Sequence, residues 1–309
     1  MPNENIKIGT GLEWKPRDPR NLSFARVFGV AQLTEIPENF LVDEPLAIED
    51  QGLSDQCTAE GSCAVSEDQE MVRLCRHYTF FKTKVEVQKS PESWGAPLLD
   101  AVKTHQKFGA LERIYCPWCN NDVIPSREEV LNPENWDKDQ DAMALEHLKD
   151  SYFECDGPYD TFDNLRSALW MNRQELRSVF TGCWWQGAWQ SVGKDGIIPM
   201  TVKQGDAQSG HAFKAYGWKK IGDETYLVCQ LSNGDSIGDK GTFYFPRNIV
   251  NDLFVFGSFT FKDISREKAE FYNHYRVHWD APFWEKVMKV VPKAIGEYIT
   301  SFLKLLWRS

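Results

Sequence analysis

The chain has 309 residues, 42% of them hydrophobic, and a formal net charge of -10. This composition supports a folded core and excludes a disordered protein, and the length fits one large domain or two lobes around a shared cleft. The acidic balance and the lack of a long Lys/Arg run argue against nucleic acid as a partner.

Residues 1–9 are polar and contain no apolar stretch, which argues against a signal peptide. No window of the sequence is long and apolar enough for a transmembrane span, so a cytoplasmic location is expected. Eight cysteines in 309 residues are far fewer than a disulfide scaffold needs, and most are expected to be reduced and buried.

The first half of the chain predicts an extended arm followed by helices. Residues 1–45 contain Pro16, Pro19 and Pro37 and show no sustained period, so they are interpreted as an arm laid over the domain. Ser54 is predicted to cap the first helix, which is rich in small residues. Further helices are predicted at 70–84 and 97–108, and a turn-rich excursion at 120–160 contains a short helical piece near 141–149.

The second half predicts a helix near 172–180 and then a series of strands. The strand patterns lie at 182–192, 210–219, 225–232, 241–246 and 253–262. Helices followed by strands indicate an α+β fold with segregated lobes, here a helical lobe at about 46–165 and a β lobe at about 166–265.

Residues 266–309 are predicted to form a separate C-terminal tail. From Ala281 onward, apolar residues recur at helical spacing between lysines, which is typical of an amphipathic helix, and Pro292 is a candidate break. Packing on its own domain is favoured, and a protein partner or a membrane surface is the alternative.

Two residues near the first predicted helix suit nucleophilic catalysis. Cys57 falls in the first turn of that helix, where backbone N–H groups and the helix dipole favour a thiolate. Six residues upstream, the side-chain amide of Gln51 could donate to an oxyanion together with the backbone N–H of Cys57.

This segment resembles the nucleophile segment of the papain-like cysteine peptidases, in which Gln-Gly and a short spacer precede a Cys at a helix start. Thr58-Ala59 after the Cys is similar to the bacterial and bacteriophage members. Gly210-His211-Ala212 is similar to the strand that carries the family's base, and His211 lies 154 positions after Cys57. A glycine-rich turn, from Ser232 to Gly241, follows in register, and the resemblance covers roughly residues 12–262.

The resemblance implies a papain-like two-lobe fold and a thiol endopeptidase acting on peptide or protein substrates. Cys57 would attack the scissile carbonyl, His211 would take and return the proton, and Gln51 would stabilise the oxyanion. The chemistry implies no cofactor and no metal. With only 56 residues before Cys57, the family's usual inhibitory pro-segment is not expected.

Two positions depart from the family pattern. Leu231 stands where the family has the Asn that orients the imidazole, and Asn233 stands where it has a shielding Trp. Asn233 or Asp235, which share strand parity with Leu231, could take over the orienting role. The alternative hypothesis is a catalytically weakened papain fold that serves as a structural or binding component of a larger assembly, such as a phage virion.

The pair Cys116 and Cys119, in Cys116-Pro117-Trp118-Cys119, has the spacing of a metal or redox motif. A zinc ribbon needs a second pair at suitable spacing, which Cys155 or Cys183 alone does not provide. A local structural role or a loop disulfide is therefore favoured over zinc.

Overall fold

The computed structural model describes residues 10–42, 48–119, 125–171, 173, 178–201 and 208–263. The predicted C-terminal helix and the first nine residues of the arm lie outside this range. The helices are α1 Phe24–Phe28, α2 Cys57–Glu70, α3 Arg76–Phe81, α4 Leu98–Phe108, α5 Arg127–Leu131, α6 Lys138–Ala144, α7 Thr161–Met171 and α8 Arg247–Leu253. The strands are β1 Leu22–Ser23, β2 Phe40–Leu41, β3 Lys149–Glu154, β4 Val179–Gln186, β5 Gln208–Ile221, β6 Glu224–Gln230, β7 Thr242–Pro246 and β8 Ser258–Asp263.

The central helix α2 packs directly on strand β5 because small residues line its contact face. A Cβ atom on Gly61 would lie 2.9 Å from the Phe180 ring and 3.1 Å from the Phe213 backbone, so a larger residue there would have to push these neighbours away. The helix begins at Cys57 with Gln56 as its N-cap, two residues later than the Ser54 cap predicts. Met71 then takes a left-handed conformation (φ 57°) and ends the helix.

The other helical predictions met mixed outcomes. The helix predicted at 97–108 is confirmed as α4, with Pro97 as its N-cap and Gly109 as its C-cap. The helix predicted at 70–84 starts later, at Arg76, and continues as a π-helix over Lys82–Gln88. The helix predicted near 172–180 is wrong at its end, because Val179 already begins β4, and residues 172 and 174–177 lie outside the described range.

The described strands form one sheet in the order β1-β3-β8-β4-β5-β6-β7, with β2 paired on β5. All pairs are antiparallel except β1 with β3. The five strands predicted in the second half correspond to β4 through β8, with shifted ends. The fold class predicted from the sequence, α+β with helices first and antiparallel strands afterwards, is confirmed.

Three apolar clusters explain how the helical and β parts hold together. One fills the β part around Trp185 and Phe213, and another fills the helical part around Tyr78 and Trp136. A third lies between them and contains the thiol of Cys57. Among the described residues, no helix is long and apolar enough to cross a membrane.

Candidate active site

The thiol of Cys57 lies at the first residue of α2 and is completely buried. The backbone N–H groups of Ala212 on β5 and of Gly11 in the arm lie near its sulfur and act to lower its pKa. Burial raises the pKa of Cys57 to about 12, although these two donors partly oppose the rise. Cys57 is therefore a neutral thiol in this conformation.

The segment that covers Cys57 belongs to the N-terminal arm and not to the walls of the cleft. Residues 11–13 run as an extended segment between the two halves of the fold. The N–H of Leu12 donates to Gly210 O on β5 (3.0 Å), and Ala96 on the helical side pairs with the arm through Ala96 N to Gly11 O (2.8 Å) and Glu13 N to Ala96 O (3.1 Å). Leu12 packs in the same apolar cluster as Cys57. The arm thus covers the candidate nucleophile Cys57, a contact that the sequence did not predict.

Glycine is required where the arm passes the helix start. A Cβ atom on Gly11 would lie only 2.1 Å from Asp55 O, and one on Gly95 would lie 1.9 Å from Gly11 O. Ion pairs fasten the following residues, with Lys15 Nζ 2.6 Å from Asp100 and Arg17 Nε 2.8 Å from Glu154. The sequence carried no signal for this path, because the arm's partners are distant in the chain and its own pattern is irregular.

His211 lies on β5 directly before Ala212, opposite Cys183 on β4, and is completely buried. Its ring packs edge-on against Trp185 at 5.4 Å. Neither ring nitrogen has a hydrogen-bond partner among the described residues, so no hydrogen bond joins His211 to Cys57. Burial lowers the pKa of His211 to about 3, which keeps the imidazole neutral.

Gln51 lies in the loop before α2, and its buried side chain is held by hydrogen bonds. Its amide nitrogen donates to Ser54 O (2.9 Å), and its amide oxygen accepts from the hydroxyl of Ser232. The backbone N–H of Gln51 also donates to Ser232 O (2.9 Å). Gln51 is therefore anchored to the glycine-rich turn that follows β6, on the β side of the cleft.

The two candidates for the orienting role differ in position. Asn233 is buried beside His211 and acts to raise the pKa of the imidazole against the larger effect of burial, although no hydrogen bond of normal geometry joins them. Asp235 is exposed. Leu231, at the family's Asn position, is buried in the apolar core of the β part. Of the two candidates, only Asn233 is near the imidazole.

One group of described residues could hold a metal ion. The thiols of Cys75, Cys116 and Cys119 lie within 4.8 Å of one another, in the helical part and separate from Cys57. The active-site candidates are not in this group.

The chain has a papain-like fold, in which helix α2 packs on strand β5. Among solved structures, the chain is similar to xylellain, a cysteine protease from Xylella fastidiosa, with 17% identity and a TM-score of 0.68 over 84% of this chain and 97% of the other. It is also similar to procathepsin B of Trypanosoma congolense (15%, TM-score 0.57, 83% and 87%) and to procathepsin L 3 of Tenebrio molitor (12%, TM-score 0.56, 83% and 76%). No protein-family model and no curated protein sequence matches the chain. At these identities, the likeness is one of fold.

Proposed function

We propose that the protein is a papain-type cysteine peptidase that hydrolyses peptide bonds and is held closed by its own N-terminal arm. The observation that carries this proposal is the extended peptide of residues 11–13, hydrogen-bonded across the thiol of Cys57. A cleft that accepts one extended peptide offers the same backbone partners, Gly210 O and both backbone groups of Ala96, to a substrate peptide. The papain-like fold, which resembles that of a solved cysteine protease, supports the same function.

In the proposed reaction, Cys57 attacks the scissile carbonyl and His211 takes the thiol proton. His211 then returns the proton to the leaving amine, and water releases the acyl enzyme. The backbone N–H of Cys57, at the start of α2, stabilises the oxyanion together with the Gln51 amide. Gln51 must first release Ser54 O, to which its amide nitrogen donates in the closed form.

His211 is buried against Trp185 and Phe213 of the β-part core, so its imidazole must turn toward Cys57 before it can take the proton. Opening of the arm would act on the thiol, because burial is the largest effect on Cys57 and raises its pKa to about 12. Water that enters the cleft at Cys57 removes this penalty, so the thiol gives up its proton more readily. The arm would therefore block the substrate and also suppress the nucleophile.

The test is labelling of the purified protein with an epoxysuccinyl inhibitor that alkylates peptidase thiols, followed by peptide mapping of the labelled cysteine. Wild type and a Gly11→Ala variant, in which the arm is displaced, are compared with the same two chains carrying His211→Ala or Cys57→Ala. We expect fast labelling at Cys57 in the Gly11→Ala variant, and its loss when His211 is removed. Labelling no faster than that of an ordinary thiol in the opened variant would refute the peptidase assignment.

A second candidate function is a papain fold kept for structure or binding without catalysis. The observations that favour it are Leu231 at the orienting position and an imidazole without a hydrogen-bond partner among the described residues. Under this alternative, the opened variant exposes Cys57 but His211→Ala leaves the labelling rate unchanged. The same experiment therefore separates the two functions.

A further inference from the structure

Three thiols from two distant segments converge in the helical part of the fold. Cys75 is the N-cap of α3, and Cys116 and Cys119 flank the turn after the short helix Arg113–Tyr115, about 41 positions later in the chain. The Sγ atoms of Cys119 and Cys75 are 4.0 Å apart, those of Cys119 and Cys116 are 2.7 Å apart, and all three lie within 4.8 Å of one another. The sequence motif contained only two of these ligands, and the fold supplies the third.

From this convergence we propose that Cys75, Cys116 and Cys119 bind a thiophilic divalent metal ion such as Zn²⁺ through three thiolates. Zinc binds Cys sulfur at about 2.3 Å, so thiolates around a tetrahedral ion lie about 3.8 Å apart. The separations in the cluster bracket this value, and small side-chain rotations are enough to reach it. Cys116 and Cys119 also have the Cys-x₂-Cys spacing that is typical of zinc turns.

The exposures of the three residues fit a site with one open position. Cys75 and Cys116 are buried among aromatic side chains, whereas Cys119 is partly exposed. Cys119 lines a cavity of about 230 Å³ through which a water molecule can reach the ion as the fourth ligand. Arg113 donates to Cys119 O (3.2 Å) and places a positive charge beside a complex whose net charge would be negative.

A disulfide explains the cluster less well. The Sγ atoms of Cys116 and Cys119, 2.7 Å apart, lie between the disulfide bond length of about 2.05 Å and the zinc-site separation of about 3.8 Å, so this distance alone does not favour a disulfide. A bond between Cys116 and Cys119 would close a very short loop, which gives little stabilisation. The Cys75 thiol would then lie close enough to attack one of the two bonded sulfur atoms, so the disulfide would be prone to thiol–disulfide exchange.

The metal would fix one wall of the cleft. Trp118, between the two paired cysteines, packs edge-on against His77 at 6.0 Å, and His77 Nδ1 lies 2.8 Å from Gln56 Oε1. Gln56 is the residue immediately before Cys57. The cluster is thus connected by two side-chain contacts to the start of α2.

The proposal is tested on the full chain by metal analysis after purification with Zn²⁺ and dialysis. We expect about one Zn²⁺ per chain in wild type and in Cys57→Ala, which removes the thiol of the proposed active site. Cys75→Ser, Cys116→Ser and Cys119→Ser should each weaken binding by more than about 100-fold, because losing even an outer partner of a metal ligand costs about 10- to 100-fold. Cys155→Ser is the matched control, because Cys155 is buried in the β part, and it should keep the metal.

Substitution by Co²⁺ gives a second measurement that does not depend on variants folding. In wild type and in Cys57→Ala, Co²⁺ should give a thiolate-to-metal charge-transfer band of the intensity expected for three sulfur ligands. A band of one sulfur or none, or a Cys116–Cys119 disulfide found by mass spectrometry in protein that excludes Zn²⁺, would overturn the site. Neither readout depends on peptidase activity, so failure of the metal site and failure of the proposed function are distinguishable.

Discussion

Replacing Gly11 by alanine should open the cleft without changing any proposed reacting group. The added Cβ would lie 2.1 Å from Asp55 O and 2.6 Å and 2.7 Å from its carbonyl carbon and Cα, and backbone atoms cannot rotate away as a side-chain end can. Overpacking of this kind costs about 1–3 kcal/mol. Because the strain exists only while the arm is in place, it shifts the closed-to-open equilibrium by about 5- to 150-fold.

The assay is the second-order rate of Cys57 labelling by the epoxysuccinyl inhibitor, and the rate should rise by the same factor of about 5 to 150. Gly193→Ala is the matched control, because Gly193 is exposed and its added Cβ would meet only the Asp195 carboxylate at 3.4 Å. Circular dichroism and the melting temperature report whether each variant remains folded. A folded Gly11→Ala protein that labels at the wild-type rate would show that the arm does not limit access to Cys57.

Three further outcomes are expected. High salt should speed hydrogen exchange at the arm amides that cross the cleft, because it screens the partly exposed ion pairs of Lys15 and Arg17. The double alanine variant should lose this salt dependence. Acid should destabilise the β part around His211. Burial lowers the pKa of His211 from 6.5 to about 3, so the stability that its neutral imidazole supports is complete above pH 6.5 and is lost progressively as the pH falls toward 3. The melting temperature of His211→Ala should lack this part of the pH dependence. In the Gly11→Ala background, Asn233→Ala should slow labelling of Cys57 at least tenfold, because the imidazole of His211 loses the residue that orients it. Asp235→Ala, at an exposed position, should leave the rate unchanged. Equal effects of the two substitutions would refute the orienting role of Asn233.

Local signals in the sequence were sufficient for the elements that carry the candidate site. Pro97 and Gly109 bound α4 as their conformational preferences require. The small residues after Cys57 predict a closely packed helix, and the structure brings that helix against β5. These features depend on residues near one another in the chain, which is why the sequence reveals them.

The features that the sequence did not reveal depend on contacts between distant residues. The pairing of Leu12 with Gly210 joins segments almost 200 positions apart, and neither segment has a sequence pattern that indicates the other as its partner. Cys75 likewise joins Cys116 and Cys119 only through the packing of α3 on the following loop. The error at the end of the helix predicted near 172–180 has a different cause, since the aromatic run that begins at Val179 forms strand β4 of the sheet.

Because residues 11–13 belong to the same chain as the cleft, their local concentration at the cleft does not fall when the protein is diluted. A segment joined by a short stretch of chain competes at an effective concentration of the order of millimolar, so a free peptide of similar affinity at micromolar concentration would occupy the cleft only rarely. Abundance of substrate would therefore not switch the protein on. The controlling event would be one that acts on the arm itself, by detaching or cutting it, and the timing of any proteolysis would be set by that event rather than by encounter with substrate.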